Sequence, residues 1–154
     1  MIEVPNFNTL DIRHIVCDYN GTIAKDGILL PSVKSLFKKL EETYAIHVIT
    51  ADTFGSVKTQ LEGSNVTIKV LESEDHTQEK SDYVRSLGAS HCVAIGNGNN
   101  DKAMLTVAEL GIAVIGAEGC AKDALLSADI LFDNIDGALE ILMHEKRIVA
   151  TLRR

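Results

Sequence analysis

The stretch HIVCDYNGTIAKDG, residues 14–27, decides how this chain is interpreted. A short apolar run ends in one carboxylate, Asp18, and the chain then turns through Gly21 and Thr22. Two residues after Asp18 stands Asn20, an amide that cannot carry a charge. The stretch therefore raises two questions: what chemistry Asp18 serves, and why its neighbour is uncharged.

Short apolar segments alternate with amphipathic helical patterns along the rest of the chain. Six segments are predicted as strands: 12–18, 45–50, 66–71, 91–96, 110–116 and 129–132. Six are predicted as helices: 32–44, 53–63, 76–88, 99–109, 121–128 and 135–145. Strands that are apolar on both faces and separated by helices indicate a mostly parallel sheet covered on both sides. We therefore expect an α/β fold, a doubly wound sheet of the Rossmann type that forms a single domain over residues 1–154.

Composition and charge exclude several classes of function. The 154 residues carry a net charge of -7 and no basic block, which argues against nucleic-acid binding. No apolar run approaches the roughly 20 residues that a membrane helix needs, so no membrane partner is expected. The three cysteines are far apart and form no disulfide framework, which suits a reducing compartment. The sequence predicts a soluble, cytoplasmic protein, with the C-terminal residues 147–154 as a solvated tail.

The connections leave no room for an inserted domain over the site. Residues 23–30 are long enough only for a small β-hairpin flap around Asp26 and Gly27. Only residues 72–76 separate the third strand from the next helix. We expect no cap domain, so either the substrate is large or a neighbouring subunit covers the pocket.

Four features fall at strand or helix ends, where ligands bind in such sheets. They are the carboxylate of Asp18, the hydroxyl of Thr50, the ammonium of Lys80, and the glycine-rich loop 96–101 that ends in Asp101. Together they predict a site for a phosphoryl group. Two acids that face a phosphate need a cation between them, and Mg²⁺ prefers carboxylate and phosphate oxygens.

Each feature also has a plainer interpretation. Lys80 competes with Lys69 and Lys102, and any of these lysines alone would be a surface residue. The loop 96–101 alone would be a turn, because Asn-Gly is a common turn pair. Asp52 is interpreted as the N-cap of the helix that follows, and all five histidines as structural or exposed.

The four features together resemble the haloacid dehalogenase superfamily of phosphotransferases, and within it the small capless proteins related to P-type ATPases. DYNGT at 18–22 resembles the pattern DxDGT, and VIT at 48–50 resembles an apolar run that ends in Thr or Ser. Lys80 resembles the family's isolated lysine, and GNGNND at 96–101 resembles GDGxND. The resemblance extends from about Ile12 to about Leu142.

The resemblance implies a role for each matching residue. Asp18 would be the nucleophile that forms an aspartyl-phosphate, Thr50 would bind the phosphoryl oxygens, and Lys80 would neutralise their charge. It also implies phosphate contacts at three further positions, Gly21, Thr22 and Ala51. The implied substrate is a small phosphorylated compound. A likeness to capless phosphatases of sugar acids implies a homo-oligomer.

The resemblance also explains why the uncharged neighbour matters. Mg²⁺ would be held by Asp18, by the backbone carbonyl of Asn20, by Asn97, and by Asp101 directly or through water. Asn20 stands where the family has its general acid/base, and Asn97 where it has a metal-binding aspartate. An amide cannot transfer protons at neutral pH, so we expect slow hydrolysis and weak metal binding.

Two other functions stay open at this point. One is a non-catalytic, phosphate-binding regulatory module that keeps the fold with a degenerate site. The other is a receiver-like signalling domain, which also places an aspartate at a strand end but gives no reason for the loop 96–101.

Overall fold

The apolar run after residue 13 forms a central strand of a parallel sheet. A computed structural model describes residues 1–52 and 55–154. The strands are β1 Ile2–Val4, β2 Asn8–Leu10, β3 His14–Asp18, β4 Ala24–Lys25, β5 Ile28–Leu29, β6 Ala45–Thr50, β7 Val66–Val70, β8 Cys92–Gly96, β9 Leu110–Val114 and β10 Ile130–Phe132. The helices are α1 Val33–Leu40, α2 Ser56–Gln60, α3 His76–Leu87, α4 Lys102–Val107, α5 Lys122–Ser127, α6 Ile135–Glu140 and α7 Glu145–Leu152.

Six strands form the main sheet in the order β10-β9-β8-β3-β6-β7, and every neighbouring pair is parallel. From β3 the chain adds β6 and β7 on one side, and then crosses to add β8, β9 and β10 on the other. The predicted doubly wound α/β fold is confirmed. Because the strand order reverses at β3, the crevice beyond its carboxyl end is where such folds bind ligands.

Alternating side chains of β3 supply both faces of the core. Ile15 and Cys17 pack in one buried cluster, which includes Phe37 of α1 and Leu139 of α6. Val16 packs in a second cluster on the opposite face, formed with residues of α3, α4 and α5. A five-residue strand buried on both faces fixes the direction in which Asp18 leaves the sheet.

The two chain ends differ from the sequence prediction. Residues 147–154 are not a solvated tail, because α7 buries Ile148 and Leu152, and the Arg154 N–H donates to Pro5 O. The predicted final helix 135–145 is divided into α6, a short 3₁₀ segment and the start of α7. The β1–β2 hairpin was not predicted. The two chain ends thus pack against each other.

The segments around the site follow the prediction closely. The expected hairpin flap is present as β4 and β5, which pair antiparallel around Asp26 and Gly27. The predicted helix 53–63 is described from Ser56 to Gln60, while residues 53 and 54 lie outside the described residues. Across 1–52 and 55–154, no helix has both the length and the apolar character needed to cross a membrane.

Candidate functional site

Three adjacent parallel strands end at the same edge of the sheet and carry the predicted groups with them. Asp18 ends β3, Thr50 ends β6, and Gly96 ends β8 at the glycine-rich loop. The pairing registers of β3 with β6 and with β8 hold these ends level. The sheet therefore brings together residues that are as far as 78 positions apart in sequence.

Lys80 is the centre of a buried charge network. It enters from α3 with a side chain only 3% exposed, and its Nζ donates to Asp18 Oδ1 at 2.8 Å and Asp101 Oδ1 at 2.8 Å. A third bond reaches Asn100 Oδ1 at 2.9 Å, a contact that the sequence analysis did not predict. The rival lysines are engaged elsewhere: Lys69 pairs with Glu79 at 3.3 Å, and Lys102 lies 4.0 Å from Asp123.

Asp101 holds the lysine and the loop at the same time. Its Oδ2 accepts from the N–H groups of Asn97 at 3.0 Å and Gly98 at 2.9 Å, while its Oδ1 accepts from Lys80. Asp101 has 0% exposure, so both oxygens are occupied and neither faces an open space. This geometry makes Asp101 the buried counter-ion of Lys80, and its role toward Mg²⁺ stays a prediction.

The turn after Asp18 orients the carboxylate. Thr22, which is buried, lies with its Oγ1 3.2 Å from Asp18 Oδ2 and 3.3 Å from Asn97 Oδ1. Gly21 has φ +82°, and a Cβ there would meet Asn97 Nδ2 at 2.5 Å. Only glycine fits, because the backbone is left-handed and the space is filled. The Gly21 N–H donates to Ala24 O, so it is not available to a phosphate.

Asn20 points toward the flap. Its Oδ1 accepts from Gly27 N–H at 3.0 Å, and the neighbouring Tyr19 hydroxyl donates to Gly27 O at 3.0 Å. The backbone N–H and C=O groups of Gly27 are therefore both hydrogen-bonded by two consecutive residues after Asp18, Tyr19 and Asn20. The sequence analysis did not foresee this contact, because it joins positions that come close only once the flap has formed.

A cavity of about 220 Å³ opens beside Asp18, and its lining includes Asn20, Thr50, Ala51, Lys80 and Asn97. The Thr50 Oγ1 accepts from Asp52 N at 3.0 Å and keeps its own proton for donation. The backbone N–H groups of Asn20 and Ala51 donate to none of the described residues. A hydroxyl, an ammonium and two uncommitted N–H groups at one cavity can bind an anion.

Burial and neighbouring charges shift the pKa of Asp18 and the pKa of Lys80. Burial, followed by the nearby Asp101 charge, raises the pKa of Asp18 to about 7, against the opposing effects of Lys80 and Thr22. Burial alone would lower the pKa of Lys80, but the charges of Asp18 and Asp101 outweigh it and raise that pKa. Lys80 therefore keeps its positive charge at neutral pH.

The histidines divide between structure and site. His47 packs against His14 and lies 2.7 Å from the Tyr83 hydroxyl, and burial lowers the pKa of His47 to about 4. His76 is different, because it lines the cavity beside Asp18. The Asp52 carboxylate accepts from Val57 N–H at 3.1 Å at the start of α2, the helix it was predicted to cap.

The oxygens near Thr22 suit a weakly held Mg²⁺ ion. No group of three or more His, Cys, Asp or Glu side chains within 1–52 and 55–154 is arranged to hold a metal. However, Asp18 Oδ2 and Asn97 Oδ1 converge on the Thr22 hydroxyl, and the Asn20 carbonyl accepts no hydrogen bond from the described residues. Mg²⁺ commonly takes one or two carboxylates and completes its shell with water and substrate phosphate. The residues present fit that pattern.

Comparison with known proteins agrees with this geometry. The family model for haloacid dehalogenase-like hydrolases matches residues 84–128. A soluble P-type ATPase-like phosphatase of Methanocaldococcus jannaschii is 27% identical over 123 residues, which is 78% of this chain and 45% of that protein. An uncharacterized protein of the same organism is 51% identical over 61 residues, 40% of this chain and 66% of that one. The chain thus spans less than two thirds of either relative's length.

A solved structure shows the same fold over nearly the whole chain. It is the 3-deoxy-D-manno-octulosonate 8-phosphate phosphatase of Moraxella catarrhalis, crystallised with magnesium, phosphate and its sugar. It aligns with a TM-score of 0.73 at 16% identity, covering 93% of this chain and 94% of that one. The likeness shows a shared α/β fold with a central parallel sheet. The chain is thus similar to haloacid dehalogenase-like hydrolases in its matched segment, in a relative and in its fold.

Proposed function

We propose that this protein is a Mg²⁺-dependent phosphohydrolase that acts through an aspartyl-phosphate on Asp18, and that it turns over slowly. The observation that supports this best is the shared ion pair of Lys80, which is bonded to Asp18 and Asp101 at 2.8 Å each beside an open cavity. A buried ammonium at a carboxylate neutralises charge when a phosphoryl group approaches. The proposed unit is a single hydrolase domain over residues 1–154.

In the first half-reaction, Asp18 attacks phosphorus and the ester bond to the leaving group breaks. Lys80 and the Thr50 hydroxyl, with the N–H groups of Asn20 and Ala51, bind the phosphoryl oxygens. Thr22 holds the second oxygen of Asp18 and so fixes the attacking one. In the second half-reaction, water attacks phosphorus, phosphate leaves, and the carboxylate of Asp18 is regenerated.

The metal site would be formed by Asp18, Asn97 and the Asn20 carbonyl. When bound there, Mg²⁺ would supply charge neutralisation for the phosphoryl oxygens. Asn97 contributes an amide oxygen and no negative charge, so the chain holds the ion with a single carboxylate. Weak metal binding is one reason to expect slow turnover. The other is Asn20, which cannot transfer a proton.

The test combines mass spectrometry with a hydrolysis assay. The protein is exposed to acetyl phosphate and Mg²⁺, and a phosphoryl adduct is expected on Asp18 alone. Hydrolysis of 4-nitrophenyl phosphate should fall more than about 10³-fold in Asp18→Asn, since the nucleophile is lost. The matched control is Asp26→Asn at the exposed flap turn, which should retain activity. If Asp18→Asn and the unaltered protein both bind phosphate without hydrolysis or an adduct, the non-catalytic binding module is correct.

Two features support proposals about the setting of the enzyme. Ile28 on the flap is 61% exposed beside an uncapped site, which supports covering of the site by a second copy of the chain. Light scattering of the protein and of Ile28→Glu tests this, and a monomer in both would contradict it.

The cysteines Cys17, Cys92 and Cys120 are all unpaired, which supports a reducing, cytoplasmic location.

A further inference from the structure

The proposed reaction releases an alkoxide that needs a proton, and the residues assigned so far do not supply it. Asn20 is an amide whose Oδ1 is already held by Gly27 N–H at 3.0 Å. The three protons of Lys80 point to Asp18, Asp101 and Asn100 at 2.8 to 2.9 Å. An ammonium bound in this way between two carboxylates is a poor acid.

Tyr19 also lines the cavity but is committed to the flap. Its hydroxyl donates to Gly27 O at 3.0 Å, and burial raises the pKa of this phenol. Releasing its proton would break the contact that holds the flap turn. The cavity therefore needs another titratable group if the leaving oxygen is to be protonated.

His76 is that group. It lines the same cavity as Asp18, Asn20 and Lys80, and it is the first residue of α3. Lys80 follows it by four positions, so both side chains lie on one face of the helix. The imidazole is half-buried and makes no hydrogen bond to the described residues. Among the titratable groups described at the cavity, it alone has uncommitted polar atoms.

We propose that His76 is a catalytic residue that protonates the leaving oxygen and later activates water, in place of the acid that Asn20 lacks. The inference rests on the proposed phosphohydrolase function. As the Asp18–phosphorus bond forms and the ester bond breaks, the imidazolium of His76 gives its proton to the departing alkoxide. The neutral imidazole then takes a proton from water as that water attacks phosphorus. Phosphate leaves, and His76 and Asp18 return to their starting states.

Imidazole suits this cycle because it exchanges protons between about pH 5 and 8. The charged and titratable groups around His76 come from several elements. They are Asp18 at the end of β3, Tyr19 after it, Asp101 bonded to Lys80, and Asp75, Glu79 and Lys80 on its own segment.

The test compares leaving groups in the full chain with Mg²⁺ present. Glycerol 2-phosphate releases an alkoxide that needs a proton, whereas 4-nitrophenyl phosphate releases a stabilised phenolate. In His76→Gln, kcat on glycerol 2-phosphate should fall about 10²-fold, at least about ten times more than on 4-nitrophenyl phosphate. The high-pH limb of the glycerol 2-phosphate profile should disappear with it. Adding Asn20→Asp to His76→Gln should restore much of the loss, and the exposed His144→Gln is the matched control.

Each possible result either supports or contradicts the role of His76. An equal loss on both substrates, or none, with hydrolysis by the unaltered protein intact, overturns the role of His76 and leaves the proposed function standing. Absence of hydrolysis and of an Asp18 adduct in the unaltered protein overturns both. Circular dichroism melting of His76→Gln and His76→Ala checks the fold, which should be unaffected because the ring bonds to no described residue.

Discussion

The two sides of the site differ in charge and in burial. On the inner side, Asp18, Lys80 and Asp101 form a network in which the lysine is 3% exposed and Asp101 is 0% exposed. On the outer side, Asn20 and Asn97 are amides, and Asn20 is exposed at the foot of the flap. In the proposed function, the inner side would bind and accept the phosphoryl group. The two amides of the outer side, where the proposed function puts metal binding, carry no charge.

This difference separates two steps of the proposed reaction, phosphoryl transfer to Asp18 and proton transfer, which a pair of acids usually carries out together. In the proposed function, a site with an intact nucleophile and cation, but an amide in place of the adjacent acid and His76 as its substitute, should form a covalent intermediate more readily than it resolves it. The inner side is also structural, because its charges are buried and depend on each other. We therefore expect inner-side substitutions to affect stability as well as chemistry, and outer-side substitutions to affect chemistry alone.

Removing the inner cation should have the largest effect on stability. Lys80→Met leaves Asp18 and Asp101 facing each other without a counter-ion, and loss of one partner of a buried pair costs about 3–5 kcal/mol. Urea unfolding near neutral pH measures this free energy. Lys69→Met, which breaks the partly exposed pair with Glu79, is the control and should cost less than about 1 kcal/mol.

The pH dependence of that loss gives a second check on Lys80. The pKa of Asp18 is already raised to about 7 in the intact site, and without Lys80 it should rise further. A raised carboxyl pKa favours the folded state where the group is protonated. The deficit of Lys80→Met should therefore be largest above about pH 8 and shrink toward about pH 5. A deficit that does not change with pH would mean that these charges do not determine stability.

Restoring an acid on the outer side should speed turnover without altering the fold. In Asn20→Asp one carboxylate oxygen can keep the bond to Gly27 N–H, and the other takes the place of the amide nitrogen at the cavity. The rate of dephosphorylation of the Asp18 adduct should rise about 10²-fold. A chase of labelled phosphoprotein measures it, and Asn65→Asp, at the far end of β7, adds the same charge without this effect. An unchanged rate would show that proton transfer does not limit the second step.

The inner side could be predicted from sequence because it depends on local patterns. Asp18, Thr50 and the loop 96–101 each end an apolar run, and parallel strands bring such ends to one edge. Lys80 was chosen over Lys69 and Lys102 by its spacing from Gly96 in the resemblance.

The outer side could not be predicted, because the direction of a side chain there depends on contacts between distant residues. Asn20 is turned by Gly27 of the flap, and His76 reaches the cavity only through the packing of α3 on the sheet. The chain ends were missed for a related reason. Ile148 and Leu152 are spaced as one helix face, but the basic residues around them made α7 resemble a tail.

Adding a charge at the second outer position should tighten metal binding. Asn97→Asp places a carboxylate beside Asp18, where both oxygens already converge on Thr22. We expect the Kd for Mg²⁺ to fall about tenfold, which is about 1.4 kcal/mol, since the new attraction is partly offset by repulsion between the two acids. Isothermal titration calorimetry without substrate measures it. Asn99→Asp, exposed in the same loop, is the control, and an equal effect of both variants would assign the gain to net charge alone.

The smallest expected effect is on the free energy of unfolding, through the loop before α3 that supports the inner side. Glu79 precedes Lys80 on α3, and its carboxylate accepts from Glu72 N–H and Ser73 N–H at 2.8 to 3.0 Å. These backbone bonds lower the pKa of Glu79 to about 2. A lowered carboxyl pKa stabilises the fold above the ordinary value of 4.5, and that stability is lost as pH falls toward 2.

Glu79→Gln should therefore unfold at lower urea than the unaltered protein near pH 6, and the difference should vanish by about pH 2. Glu74→Gln, exposed on the same loop, should show no such difference. If Glu79→Gln behaves like Glu74→Gln, the loop before α3 does not hold Lys80 in place, and the bonds of Lys80 to Asp18, Asn100 and Asp101 position it instead.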